Sequence, residues 1–366
     1  MLTEPTRPTE AERAPAVVVS QPYWRVRLSL AWRGLRRTWA LFRQNSVGMI
    51  GLGIILLFLL GAIAHPILMA TVWDPAVYHP VHGYDAVVIE KEVVEEVTDE
   101  LTQIEVNEAR LRTDPFVQVG DTLRMPQQPA PPSLRGEHPH LLGTDPQGRD
   151  ILSQLLYSIR AAFILGALAA VMSVVVATTV GSVAAYFGGR TDSVLMRFSD
   201  LILLLPILPV LIVIGAYFQM NMPILAVTIG LFEGFGATAI VLKSQALQVS
   251  VKPFIDAARV AGGGHAHIIF RHLVPNVMPL SLLYMMFGVA GAIALESVLS
   301  FLGLLDIEMS WGVMLNVAQR QGYLLSGTRY WWLLFPAGLA VTFLAFAFFL
   351  VGRGMDEVIN PRLRSR

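Results

Sequence analysis

Residues 47–69 read VGMIGLGIILLFLLGAIAHPILM, a run without a single Asp, Glu, Lys or Arg. A helix of about 20 apolar residues is long enough to cross the hydrocarbon core of a bilayer. The run follows eight arginines and begins near Ser46, whereas a secretory signal lies within roughly the first 15–30 residues. We therefore interpret it as a retained transmembrane helix and expect an integral membrane protein.

Five further apolar stretches follow along the chain, and the overall composition agrees with them. The 366 residues are 54% hydrophobic and 15% charged, against about 25% charged residues in average soluble domains. The sequence therefore predicts an all-α membrane protein with six transmembrane helices. Their predicted bounds are Val47–Met69, Ser158–Phe187, Leu201–Phe218, Pro223–Leu242, Asn276–Leu302 and Tyr330–Val351.

The charged residues orient the predicted helices. Net formal charge is zero, which argues against a nucleic-acid partner, because such partners are bound by a basic surface. Lys and Arg nevertheless cluster, with 18 on the side of the two termini and eight on the opposite side. Basic residues are enriched in cytoplasmic loops, so we expect both termini in the cytoplasm. The sequence contains no cysteine, which excludes disulfides and thiol chemistry.

The N-terminal region divides into two segments before the first transmembrane helix, residues 46–70. Residues 1–22 are rich in Pro, Glu and Thr, a composition typical of disorder. Residues 23–45 place aromatic and aliphatic side chains every three or four positions, with arginines between them. This pattern predicts an amphipathic helix lying along the inner membrane face. Packing of the same helix on its own transmembrane bundle is the alternative.

Residues 71–140 are predicted to form an acidic external insertion, with 13 Asp or Glu against five Lys or Arg. Apolar residues at helical spacing predict a short helix around residues 89–112. The insertion either contacts a receptor or is simply a solvated surface. Residues 141–355 hold the other five transmembrane helices and a cytoplasmic connection, residues 250–275, and residues 356–366 form a cytoplasmic tail.

The connection between predicted helices four and five is the most informative loop. Pro253 suits the first turn of a short helix, and Asp256 in that turn meets the positive helix end. Ala257, Ala258 and Ala261 leave a small-sided face, and Gly262 to Gly264 end the helix. A second short helix is expected at about His265–His272, before Pro275. The pair of helices either inserts into a groove of another protein or forms a hairpin without a partner.

This connection resembles the EAA loop of bacterial ATP-binding-cassette import permeases. Asp256, Ala257, Ala258, Gly262 and Pro275 match the family pattern in identity and spacing. The family prefers Ile and Leu where this chain has His272 and Val274. The resemblance implies a type I importer permease that couples to an ATPase subunit through this loop. The residues implied in coupling are Asp256, Ala257, Ala258, Arg259, Ala261, Gly262 and Pro275.

Other stretches resemble the dipeptide, oligopeptide and nickel branch of that family. They are LGTDPQGRD at 142–150, YFGGRTD at 186–192, MRFSD at 196–200, ESVLSFLG at 296–303 and SWG at 310–312. Members commonly carry Arg near position 240, where this chain has Ile240.

The branch implies peptides as cargo, with nickel or another small solute as the alternative. It also implies an extracytoplasmic substrate-binding protein, a second related permease subunit and two ATPase subunits in a bacterial inner membrane. No cofactor is expected on this chain, and ATP and Mg are expected on the ATPases.

Two features within the predicted helices are candidates for the translocation path. Glu233 lies near the middle of the fourth, where a carboxylate is costly and should face the bundle or water. It either binds a substrate amine or an ion, or is a protonated packing residue. Pro206 and Pro209 should kink the third helix, which serves a gate or merely a bend.

Three further acids and one arginine are candidates for structural or gating roles. Glu296 is expected to make a structural pairing near the outer end of the fifth helix. Asp145 can cap a helix whose first residue is Pro146, and Arg149 and Asp150 follow in the same motif.

Several chemistries and protein classes find no support in the sequence. His265, His267 and His272 cannot share one helical face and have no carboxylate nearby to complete a metal site. No GxxxxGK[ST] phosphate loop is present, so we expect another chain to handle ATP. A self-sufficient secondary transporter would need repeats and several buried charges. A membrane enzyme would need a catalytic pair or metal set, and no predicted helix carries a convincing one.

Overall fold

A computed structural model describes residues 32, 36, 38–85, 88–92, 122–126, 128–135 and 137–359. Its membrane region is built from helices, as expected. The first half contains α1 Ser46–Thr71, α2 Pro75–Tyr78, β1 Val88–Glu92, β2 Thr122–Pro126, α3 Ile151–Phe187, α4 Gly189–Leu204, α5 Ile207–Tyr217, α6 Met222–Phe235 and α7 Ala237–Ser250. The second half contains α8 Pro253–Val260, α9 His265–Ile268, a π-helical turn Ile269–Leu273, α10 Val274–Phe301, α11 Trp311–Arg320, a 3-10 turn Tyr323–Ser326 and α12 Trp331–Ile359.

Four helices in the described part of the chain are long and apolar enough to cross a membrane. They are α1, α3, the continuous run His265–Phe301, and α12. Two bent pairs add up to two more spans, since α4 and α5 meet at 78° and α6 and α7 meet at 47°. The described part of the chain therefore has four to six helices long and apolar enough to cross a membrane, and the third and fourth predicted spans are the bent ones.

Helix α3 lies at the centre of the bundle and packs against α6, α7, α10 and α1. Small residues make this possible, because Ala169 and Ala177 are fully buried on it. On α6, a side chain at Gly230 would lie 2.8 Å from the carbonyl oxygen of Ala169. A side chain at Gly234 would lie 2.9 Å from that of Ser173. The two glycines thus allow the backbones of α3 and α6 to meet closely.

The N-terminal segment is described at residues 32, 36 and 38–45, and residues 38–42 are helical. Trp32 and Trp39 are 57% and 47% exposed, whereas Phe42 is buried. The ring of Phe42 sits beside Gly48 of α1 and Gly354 of α12. The last turn of this N-terminal helical segment therefore packs on the bundle, while Trp32 and Trp39 stay exposed to a membrane surface. The prediction of disorder for residues 1–22 lies outside the described residues.

The insertion contains a strand pair where a helix was predicted. β1 and β2 pair antiparallel, with Val88 opposite Pro126 and Glu92 opposite Thr122. The prediction of a helix is therefore wrong for residues 89–92, and residues 93–112 lie outside the described part. Consecutive Val and Ile residues at 87–89 favour a strand once a partner segment is available.

Candidate functional site

The loop between α7 and α10 presents α8 away from the bundle. Pro253 opens the helix and Asp256 lies in its first turn, as predicted. Ile255 is fully buried and anchors one face. Ala257 and Ala261 are exposed, and Val260 is 90% exposed. One apolar side chain thus holds α8 to the bundle, and its small residues and a bare valine face outward.

Gly262 ends this helix in a left-handed conformation, with φ of +82°. The N–H of Gly263 donates to the carbonyl oxygen of Ala258 at 2.9 Å, which is the closing bond of a Schellman cap. A side chain built at Gly262 would meet nothing within 4 Å. The glycine is therefore needed for its backbone angle, while the space around it is open.

A chain of side-chain contacts fastens α8 to the end of α3. Asp256 and Arg259 form an exposed ion pair at 3.0 Å. The guanidinium of Arg259 also lies 5.3 Å from the centre of the Tyr186 ring. The Tyr186 hydroxyl is 3.0 Å from Nδ1 of His265, the first residue of α9. We name Arg259, Tyr186 and His265 the loop clamp.

The second short helix predicted at His265–His272 is not a separate element. The run from His265 to Phe301 is continuous, with α9 passing through a π-helical turn into α10. Pro275 lies at the start of α10, just after the π-helical turn. A movement of His265 is therefore a movement of a helix that crosses the bundle.

Glu233 lies in the last turn of α6 and lines a cleft of about 330 Å³. Both helix breaks border this cleft, through Leu205 and Ile207 at one and Gly236 at the other. The 78° bend falls where Pro206 caps α5, so the predicted kink is confirmed there. Pro209 lies in the first turn of α5, where a proline is tolerated, so the kink predicted at Pro209 is not formed.

Glu296, by contrast, is only 2% exposed. It accepts hydrogen bonds from the hydroxyls of Ser300 at 2.7 Å and Ser297 at 3.3 Å. It does not line the cleft. Its surroundings are those of a structural acid held by hydroxyl groups.

Asp145 organises the turn before α3 and does not cap a helix at Pro146. Residues 146–148 form a turn, and Asp145 accepts from the Arg149 Nε at 2.7 Å and from Gln154 at 3.0 Å. The cap belongs to Asp150, which accepts from the Ser153 N–H at 2.7 Å. Asp145 also accepts from the backbone N–H groups of Gln147 and Arg149, so its side chain closes a turn where a helix was expected.

His140 joins this turn to the insertion and was not anticipated from the sequence. Its Nδ1 is 2.8 Å from Asp150 and its Nε2 is 3.0 Å from Asp85. The residue is 2% exposed. Burial opposes protonation, but hydrogen bonds to the two carboxylates and their charges outweigh it and raise the pKa of His140. No spacing rule could have found a site assembled from residues 85, 140 and 150.

The His140 cluster and the loop clamp lie at opposite ends of α3. This helix has 37 residues, about 55 Å at 1.5 Å per residue. Asp150 caps its start and Tyr186 lies in its last turn. One uninterrupted helix therefore connects the two polar clusters across the bundle.

Comparisons with known proteins agree with this architecture. Residues 177–365 match the family described as "Binding-protein-dependent transport system inner membrane component". Residues 31–80 match "N-terminal TM domain of oligopeptide transport permease C".

Three similar proteins align with more than half of this chain. The oligopeptide transport system permease protein OppC of Haemophilus influenzae is 34% identical over 64% of this chain and 74% of its own length. OppC of Escherichia coli strain K12 is 36% identical over 62% and 74%. The dipeptide transport system permease protein DppC of Bacillus subtilis is 32% identical over 68% and 77%. Because the first family match alone covers more than half of the residues, the chain belongs to the multi-pass inner membrane components of binding-protein-dependent transport systems.

Proposed function

We propose that this chain forms part of the membrane pathway of an ATP-driven peptide importer. The relatives are permeases named for oligopeptide and dipeptide transport, which favours peptides over nickel or another small solute. The observation that carries the coupling role is α8, a short helix anchored by Ile255 with an exposed, small-sided face. Such a surface allows a partner backbone to approach closely.

The complete transporter would contain an extracytoplasmic binding protein, a second related permease and two ATPase subunits. ATP and Mg would bind to the ATPase subunits, and this chain would hydrolyse nothing by itself. The loop between α7 and α10 would face the cytoplasm together with both termini. The excess of Lys and Arg on that side supports this orientation.

The candidate residues divide by position in this scheme. Asp256, Ala257 and Ala261 would contact the ATPase, with Ala258 and Arg259 beside them. Gly262 and Pro275 would set the direction of the loop. Glu233 would face the pathway, and the bend at Pro206, with Pro209 just after it, would move with the gate. Asp145, Arg149, Asp150 and Glu296 would hold the structure together.

Cysteine crosslinking tests the coupling assignment directly, because the chain has no native cysteine. Ala257→Cys should crosslink to a cysteine placed in the ATPase groove, and nucleotide should change the yield. The matched control is Leu325→Cys, since Leu325 is 94% exposed in the 3-10 turn beyond the opposite end of α10. It should give no crosslink. Equal crosslinking of the two positions, or none from 257, would show that α8 is not the docking element.

The same two variants test orientation in intact cells. A membrane-impermeant maleimide should label a cysteine at 325 and leave one at 257 unlabelled until the membrane is opened. Labelling of 257 from outside would overturn both the orientation and the coupling role.

A further inference from the structure

The cleft beside Glu233 is bordered by both interruptions of the bent helices. Ile202 and Leu205 approach it from the end of α4, and Ala237 and Thr238 from the start of α7. Broken helices at membrane depth are tolerated where the irregular backbone lines a cavity. In transporters such breaks also line the substrate site near the midplane. Two independent breaks therefore point to one place in the bundle.

Glycines of α10 make room for the carboxylate of Glu233. A side chain at Gly288 would lie 3.2 Å from one carboxylate oxygen, and a side chain at Gly291 would lie 3.0 Å from the other. The space for the acid thus depends on two missing side chains of the facing helix. Within the described residues, no ion pair or hydrogen bond to this carboxylate is formed.

Glu296 of α10 provides the contrast. Ser300 and Ser297 donate hydroxyl hydrogen bonds to it, and it is buried away from the cleft. Glu233 is only half-buried and faces open space. An acid kept for packing is expected to have its oxygens satisfied, because unpaired polar groups are costly in an apolar interior.

The walls around Glu233 favour a small cation. Most of the lining is aliphatic or aromatic, including Leu203 and Phe287, and the hydroxyl-bearing residues Tyr284 and Thr238 also border the cleft. Apolar walls strengthen electrostatic attraction by excluding water. A volume of about 330 Å³ lies at the small end of ligand sites, so the cleft accommodates one residue of a peptide and not its whole length.

We propose that Glu233 forms a subsite for a primary ammonium group of the passing peptide. The carboxylate accepts the ammonium N–H groups from the cleft side, and the two glycines of α10 let it lie against that helix at the edge of the cleft. Glu233 thereby acts as a specificity residue, which favours cargo that carries a positive charge at the position entering the cleft. This inference rests on the proposed peptide transport and adds the chemistry that the pathway recognises.

The ammonium group has two sources, the peptide N-terminus and a lysine side chain, and matched cargo pairs separate them. One pair compares a short alanine peptide with its N-acetylated form. The other compares a peptide carrying lysine with one carrying norleucine at the same position. The complete transporter, in liposomes, receives each cargo on saturating loaded binding protein, so that transport reports the membrane pathway.

Three variants are compared with the wild type. Glu233→Gln keeps the size of the side chain and removes its charge. Glu233→Asp keeps the charge with a shorter side chain. Glu308→Gln, an exposed acid outside the cleft, controls for a general loss of negative charge.

In Glu233→Gln, the transport ratio of the ammonium-bearing cargo to its neutral partner should fall about tenfold in at least one pair, the scale of a charge-assisted hydrogen bond. Basal ATPase activity and the crosslink from position 257 should persist. Glu233→Asp should recover part of the ratio, and Glu308→Gln should match the wild type.

The pair that changes identifies which amine the cleft receives. A wild-type ratio in both pairs for Glu233→Gln would overturn the subsite while leaving peptide transport intact. A wild-type complex that transports none of the four peptides would refute the proposed cargo, and the subsite with it.

Discussion

The glycines after α8 allow the role of backbone conformation in coupling to be isolated. Gly262 has φ of +82°, and Gly264 has φ of −68°. A side chain at either position would meet nothing within 4 Å. Gly262→Ala and Gly264→Ala therefore add the same methyl group to the same loop in open space. They differ in whether the native backbone angle suits an alanine.

The expected difference follows from that angle. A left-handed conformation costs an L-residue roughly 1–2 kcal/mol, whereas φ near −68° costs alanine nothing. A penalty of this size changes an equilibrium constant by a factor of about 5–30. The hydrogen bond from the Gly263 N–H to Ala258 closes the turn, so its opening should be favoured by that factor in Gly262→Ala alone.

Hydrogen–deuterium exchange of the segment 253–264 measures this opening in the purified complex. Exchange should rise by about 5–30-fold in Gly262→Ala and stay near the wild-type rate in Gly264→Ala. Binding-protein-stimulated ATPase activity and transport should fall in the first variant only, with equal membrane insertion of both. Equal exchange in the two variants would refute the conformational argument. Raised exchange with undiminished transport would refute its link to coupling.

Three other perturbations test the polar clusters and the helix packing. The pKa of His140 is raised, so protonated His140 stabilises the fold fully below the unfolded pKa near 6.5, and this stabilisation is lost as pH rises through the folded pKa. The melting temperature of the wild type should therefore fall over that pH range. His140→Gln should remove this pH dependence of the melting temperature. Tyr186→Leu should lower binding-protein-stimulated ATPase activity, because it breaks the loop clamp. Tyr186→Phe keeps the ring under Arg259 and should retain most of that activity. Equal losses of activity in the two variants would show that the ring contact plays no role. Gly230→Leu should reduce the yield of folded protein, because the new Cβ would lie 2.6 Å from the Cβ of Met172 and overpacking costs at least about 1–3 kcal/mol. Gly338→Leu is the control, since a side chain at Gly338 would meet nothing within 4 Å. A similar yield of folded protein from both variants would contradict the packing argument.

The apolar runs predicted the membrane helices because length and hydrophobicity are local properties. The kink at Pro206 could also be predicted from local sequence, since a proline cannot continue the hydrogen bonding of a helix. The break at Gly236 was missed. A glycine inside an apolar run is tolerated in many membrane helices, so only its position beside the cleft distinguishes it.

The polar clusters could not be predicted because their members are far apart in sequence. Asp85 and His140 meet across the insertion, and Tyr186 and His265 meet across two bent spans. The prediction that Asp145 caps a helix was wrong for a different reason. The sequence has two acids before α3; Asp150 caps the helix, whereas Asp145 is held within its own turn by Gln147 and Arg149.

The distribution of prolines and breaks indicates which part of the bundle can bend. α1, α10 and α12 contain Pro66, Pro279 and Pro336 respectively, and the other two spans are broken. Helix α3 has no proline and runs unbroken for 37 residues. It connects the His140 cluster at its start with the loop clamp at its end. Arg259 of α8 contacts Tyr186 at the end of α3, and Tyr186 contacts His265, which begins the run into α10. Because Gly288 and Gly291 of α10 lie against the carboxylate of Glu233, the loop clamp and the cleft beside Glu233 are joined by the one continuous run that begins at His265.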